Sequence, residues 1–313
     1  MAIAAIVLFV CACDDDVAGP SGVDEPYSMY GIMNPRLETQ TLLVGPTISS
    51  LEDYDDVIDA SVTSTELSTG KEYVWRDSVV DGARGQIDHV FTARFRPEFG
   101  SRHHIVVRRS DGEISDVEVA VPGRVSFETL DERTRAFGVR VNGEDVRLIS
   151  AEVTYGVRLY APLAMTPAGM CLSQPRSYFT LPLETREMSG GDWMMEWDLR
   201  EQLFLIRSYY AQKHRVQFRP EKKAQIALME MDLEITVGGP SWNPPGGEFD
   251  RHVLSAPQAM TNISNGLGFV GAGYNQEREH WPSEESVSDA WVYDFLMRPP
   301  GECRDFCSCG LGS

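Results

Sequence analysis

The sequence predicts a mainly β protein in which an N-terminal, immunoglobulin-like antiparallel sandwich precedes a second β-rich domain with one or two short helices. Three observations predict it. Residues 88 to 96 alternate strictly, with His89, Phe91, Ala93 and Phe95 opposed to Val90, Thr92, Arg94 and Arg96, the period-two pattern of a half-buried strand. Seven such short runs fall within about 100 residues, separated by proline and glycine turns, the spacing of a sandwich. Residues 148 to 161 and 227 to 237 alternate over lengths that suit long strands with one wet face.

In chain order, the first region places strands at 27 to 34, 39 to 45, 60 to 67, 72 to 77, 88 to 96, 103 to 109 and 115 to 121, and Pro122-Gly123 closes it. No Cys, Trp, Cys framework of a true immunoglobulin domain is present. In the second region the run at 148 to 161 turns Ile149, Ala151, Val153, Tyr155, Val157 and Leu159 to one side. The run at 227 to 237 does the same with Ala227, Met229, Met231, Leu233, Ile235 and Val237. Between them, Leu199, Leu203, Ile206 and Tyr210 recur at helical spacing over 198 to 213, and Asp198 with Glu201 resembles a capping box. A second short helix is expected at 286 to 297, with Val287, Trp291 and Phe295 on one side.

Before these regions lies an apolar run, Met1 to Ala12, that ends at Cys13 and is followed at once by Asp14, Asp15 and Asp16. It is too short to span a bilayer as a helix but suits the core of a secretory signal, although no Lys or Arg precedes it. Val10-Cys11-Ala12-Cys13 resembles a lipobox, which makes Cys13 the expected site of lipid attachment and the new N-terminus. More than one acyl chain there makes membrane anchoring durable. The expected organisation is a signal peptide at 1–12, an acidic tether at 13–25, the sandwich at 26–122, the second domain at 123–300 and a cysteine-containing tail at 301–313.

Composition fits export. The chain has 313 residues, 28 basic and 47 acidic, for a net charge of -19. Nucleic acid is not an expected partner, because phosphate binding needs a basic face. The tail cysteines Cys303, Cys307 and Cys309 together with Cys171 leave four thiols, for which disulfides are expected in an oxidising compartment. Their spacing lacks the C-x-x-C pairs usual for structural zinc, and no metal is expected there. Glu52, Asp53, Asp55, Asp56 and Asp59 form an acidic loop that offers oxygen ligands for calcium without the order or glycine of an EF-hand. His103 and His104 are adjacent on a strand, so their rings face opposite ways. Trp193, Trp197, Trp242 and Trp281 are candidates for a sugar-stacking platform or, more simply, for core and rim.

The segment NISNGLGFVGAGY, 262 to 274, places Gly266, Gly268 and Gly271 in a G-x-G-x-x-G spacing. A dinucleotide site needs a helix after the third glycine, and Ala272-Gly273-Tyr274-Asn275 starts one poorly, so no cofactor is expected. The structural reading is a turn at Asn265-Gly266 with positive φ, forming a tight hairpin, and glycines that admit close strand packing. On Asn262, Ile263, Asn265, Gly266, Gly268 and Gly271, with the lipobox, the chain resembles the bacterial lipoprotein family known as domain of unknown function 4249. The resemblance implies a lipid-anchored protein of the outer membrane, on its periplasmic face or at the cell surface, sometimes beside a TonB-dependent transporter. It implies a tyrosine-rich helix before the motif, where this chain carries GGPSWNPPGG at 238 to 247, and it brings no catalytic residues. No nucleophile elbow, H-E-x-x-H or phosphate loop is present. Two function classes follow: a non-enzymatic envelope binding or accessory module, and an exported hydrolase using paired carboxylates.

Overall fold

A computed structural model describes residues 26–46, 57–81, 87–132, 136–162, 171–173, 175–188, 191–213, 225–243, 261–279 and 295–297. The first region forms β1 (Tyr27–Met33), β2 (Thr39–Pro46), β3 (Ser61–Glu66), β4 (Glu72–Val74), β5 (Arg76–Asp81), β6 (Ile87–Arg94), β7 (Arg102–Arg108) and β8 (Ile114–Ala120). The order β1-β2-β6-β5 lies in one sheet and β4-β3-β7-β8 in another, the two-sheet partition of an immunoglobulin-like sandwich. The run at 72 to 77, expected as one strand, is two. Trp75 breaks it: its backbone N–H donates to Val62 O at 3.0 Å, its buried indole Nε1 donates to Ser64 Oγ at 2.9 Å, and the chain crosses from one sheet to the other. Inward alternation supplies the core, with Met29, Leu42, Val62, Phe91, Ile105, Val107, Val117 and Val119 packed between the sheets.

The second region forms β9 (Ser126–Glu132), β10 (Ala136–Asn142), β11 (Arg147–Pro162), β12 (Cys171–Ser173), β13 (Ser177–Pro182), β14 (Glu184–Glu187), β15 (Trp193–Asp198), α1 (Leu199–Lys213), β16 (Gln225–Gly238), β17 (Gly266–Glu279) and β18 (Phe295–Met297). The sheet β14-β15-β10-β9, with α1, packs on β11 and β16 around a second core. The expected helix is present. Asp198 Oδ1 accepts from the backbone N–H groups of Arg200 at 2.8 Å and Glu201 at 3.2 Å, a cap that contributes about 1 kcal/mol. Leu199, Leu203, Ile206 and Tyr210 are all buried, at about 1.5–3 kcal/mol for a fully buried apolar side chain, so packing outweighs capping. The expected helix at 286 to 297 is not found at its end, where Phe295–Met297 pairs parallel with β16; the remainder lies outside the described residues.

Two bulges correct the simple alternation. In the β11–β16 pairing, Leu148 lies opposite Val237 and Ser150 opposite Thr236, so Ile149 is the extra residue. It leaves the second core to Leu148 and packs beside Tyr30, Trp242 and Phe269 on the other side of the sheet. Met229 is likewise skipped between Glu230 and Leu228, and Ile226 and Leu228 take the inward positions expected for Ala227 and Met229. One extra residue reverses every later side chain because the period is two.

The two halves share a strand. Gly266 to Ala272 pair parallel with Tyr27 to Met33, and Gly273 to Glu279 pair antiparallel with Asp232 to Gly238. The result is one ten-stranded sheet, in the order β12-β11-β16-β17-β1-β2-β6-β5, with β13 also on β11 and β18 on β16. Val270 and Ala272 enter the first core and Tyr274 the second. Residues two apart share a face, so both cores lie on the same face of β17. The first sandwich, expected to consist of residues 26 to 122, therefore also takes Ile263, Val270 and Ala272 from the far end of the chain.

Candidate functional site

The glycine segment is closely packed where it meets β1 and Trp242. The strand begins at Gly266 and pairs with β1 instead of closing a hairpin. Positive φ falls on Asn265 (49°) and Gly268 (101°), and Gly266 is not among the positive-φ residues. Gly266 is required for space: a Cβ there would lie 2.9 Å from Tyr27 O and 3.0 Å from Ser115 Oγ. At Gly271 it would lie 3.0 Å from the Trp242 ring. Asn262 acts as a surrogate strand, accepting from Val270 N–H at 3.0 Å and donating to Val270 O at 2.7 Å. Asn265 Nδ2 donates to Ile114 O at 2.7 Å, and Ser115 Oγ donates to Asn265 O at 2.5 Å.

Several expected site residues are scattered or lie elsewhere. Cys13, Cys303, Cys307 and Cys309 lie outside the described residues, and Cys171 begins β12, opposite Pro162. Of the acidic loop, residues 52 to 56 lie outside the described residues; Asp59 Oδ2 accepts from Ser110 Oγ at 2.6 Å and its carbonyl from Tyr27 Oη. Burial, with Asp59 beside it, pushes the Tyr27 phenol up to about 12. His103 is buried and meets Ser101 Oγ at 3.1 Å, and burial pushes its pKa down against the opposing pull of Glu66. Its neighbour His104 points outward to Asp116 Oδ2 at 2.9 Å. No group of three or more metal-ligating side chains is found among the described residues.

The tryptophans separate. Trp197 is stacked on Phe137 in the second core, Trp242 is buried against Phe269, and Trp281 lies outside the described residues. Among the described tryptophans, Trp193 lines a cleft, while its half-buried side chain also packs against the second core. Pairing of β10 with β15 sets Val141 opposite Trp193, which brings two turns side by side at one end of the sheet. The first turn, Gly143 to Val146, joins β10 to β11 and holds Asp145 at φ 51°. The second joins Glu187 to Trp193 and is closed by Met188 N–H donating to Asp192 O at 2.7 Å, with Gly191 at φ 86°.

These turns, with Arg124 and Pro240, enclose an open cleft of about 1120 Å³. Its rim carries Glu144, Asp145, Glu187 and Asp192 against Arg124 and Arg147. Both cations have a partner: the Arg147 guanidinium donates to Trp242 O at 2.7 Å, and that of Arg124 lies 4.3 Å from the Phe99 ring centre. The Trp242 loop is fixed in turn by two glycines. A Cβ on Gly238 would lie 2.9 Å from Trp242, and one on Gly239 would collide with the Ala120 carbonyl oxygen.

No protein-family profile matches the chain, and no curated protein matches it. Among solved structures, it is similar to the C-terminal domain of the Streptococcus agalactiae AgI/II polypeptide BspA, at 10% identity over 68% of this chain and 90% of that one, with a TM-score of 0.15. A second structure, BspA_C_mut, gives 10% identity over 66% and 89%, also with a TM-score of 0.15. Likeness at that level fixes neither fold nor function.

Proposed function

We propose that this chain is a lipid-anchored binding module of the bacterial cell envelope, attached through Cys13 to the outer membrane and taking its ligand in the cleft beside Trp193. The single observation that carries the binding role is that cleft, where two turns and a half-buried aromatic converge at one end of a sheet. Binding residues concentrate on loops positioned by such scaffolds. The address is carried by the apolar run, the lipobox-like V-C-A-C and the acidic tether. A TonB-dependent transporter is the envelope partner that the family resemblance favours.

Two measurements test this. Mass spectrometry of membrane-extracted protein is expected to find an acylated Cys13 as the first residue, and an unmodified residue before it refutes the anchor. A photo-crosslinking side chain at Glu187, compared with one at the remote Glu118, is expected to capture envelope material from native cells only at the cleft. Equal capture at both positions refutes the cleft.

A second reading places a hydrolase's paired carboxylates in the same cleft, which Glu187 and Asp192 both line. Release of new reducing ends from envelope polysaccharide, lost in Glu187→Gln, would favour it.

A further inference from the structure

We infer that the cleft beside Trp193 takes a neutral oligosaccharide; this rests on the cleft being the binding site and adds the class of its ligand. The lining mixes signs, with the carboxylates of Glu144, Asp145, Glu187 and Asp192 beside the guanidinium groups of Arg124 and Arg147. An anionic ligand would meet four carboxylates, and a bare cation would meet two arginines. A sugar hydroxyl suits both, because it donates to a carboxylate and accepts from a guanidinium.

Arg147 uses one N–H on Trp242 O and keeps the others of its fork. Held in this way, both arginines offer donors that lose little freedom when a ligand binds. Trp193 supplies the apolar element: it lines the cleft and is braced from behind by the second core. A tryptophan with one buried side and one wet side is suited to the C–H face of a pyranose, which is apolar while its edge is polar. The volume of about 1120 Å³ exceeds the roughly 300–1,000 Å³ that holds a drug-sized ligand. An open cleft of that size leaves room for more than one sugar unit.

The test uses the full chain carrying Cys13→Ser, so that the protein stays out of the membrane fraction. A glycan array of neutral glucan, mannan, xylan and chitin fragments selects the ligand, and calorimetric titration measures it. Saturable binding is expected, weakened about tenfold or more by Trp193→Ala, since stacking and burial of one aromatic contributes more than a single decade of affinity. Because Trp193 also touches the core, Glu187→Ala is the second variant. Glu187 is exposed, so its truncation is expected to leave the fold intact, and affinity is expected to fall by about threefold or more, as a lost hydrogen bond predicts. Raising the salt concentration is expected to change the affinity by less than about twofold, as for an uncharged ligand.

No glycan above background, unchanged affinity in both variants, or steep salt dependence overturns the proposal. If the Glu187 crosslinker captures protein while the array stays blank, the saccharide class fails and the cleft remains a binding site.

Discussion

Gly268→Ala is the sharpest test of the shared strand. Two costs act at this position. Its φ of 101° is rarely adopted by residues with a side chain, which costs about 1–3 kcal/mol. A Cβ would also press on the Met29 carbonyl oxygen and lie 2.9 Å from the Tyr30 ring. The carbonyl is backbone of β1 and cannot yield without disturbing the parallel ladder of Tyr27 to Met33 on Gly266 to Ala272. Overpacking of this kind costs about 1–3 kcal/mol more, so the total is about 2–6 kcal/mol against a typical stability of about 5–15 kcal/mol.

Gly112→Ala provides the control, because Gly112 has the same φ of 101° with nothing within 4 Å of the new Cβ. Strain is common to both variants, and the difference isolates the clash. Urea titration followed by tryptophan fluorescence and by far-ultraviolet circular dichroism gives both stabilities. Gly268→Ala is expected to be the less stable by about 1–3 kcal/mol. Equal losses in the two variants, or no loss at Gly268, would refute close packing of β17 on β1.

Three further outcomes are expected. Glu234 sits directly opposite Glu152 on one side and Glu277 on the other, and like charges opposed across strands destabilise by about 0.2–1 kcal/mol each; Glu234→Gln, which keeps the acceptor for Asn275 Nδ2, is expected to raise the melting temperature, and an unchanged or lower value contradicts this. Burial holds the His103 imidazole below its ordinary pKa, so the unfolded chain takes up a proton that the folded chain refuses. This contribution to stability is intact above about pH 6.5 and is lost as pH falls below it, by up to about 1.4 kcal/mol per unit; urea midpoints between about pH 7.5 and pH 5.5 should fall less in His103→Gln than in the wild type. Cys13→Ser is expected to move the protein from the membrane to the soluble fraction, since the proposed acyl chains would supply the anchoring; retention in the membrane contradicts the anchor.

Much of the fold was legible because period two is a local signal. Residues such as Val117 and Val119, or Val153 and Tyr155, declare their face by alternation alone. What alternation cannot carry is phase across a defect, and the single extra residues Ile149 and Met229 therefore redirected their neighbours unseen. The break at Trp75 was hidden for a related reason: β4 and β5 are both extended and differ only in the partner they choose. The cleft was half legible. Trp193 stood among four tryptophan candidates, but its separation from Trp197 and Trp242 depends on the β10–β15 pairing, which joins residues about fifty positions apart. The glycine segment was expected to close a hairpin and instead pairs with β1, because the backbone that crowds Gly266 is that of Tyr27, at the opposite end of the described chain.

The shared strand also determines how the molecule carries load. A pull on the chain ahead of Tyr27 acts along β1, while the second half of β17 is held in the other sandwich by Asp232 to Gly238. The seven paired residues of β1 and β17 then lie between the points of attachment and are loaded in shear, so that their bonds share the force instead of opening one at a time. The β1–β17 seam is therefore a mechanical clamp. Tension between the N-terminal side of β1 and the second half of β17 would be borne by these backbone pairs.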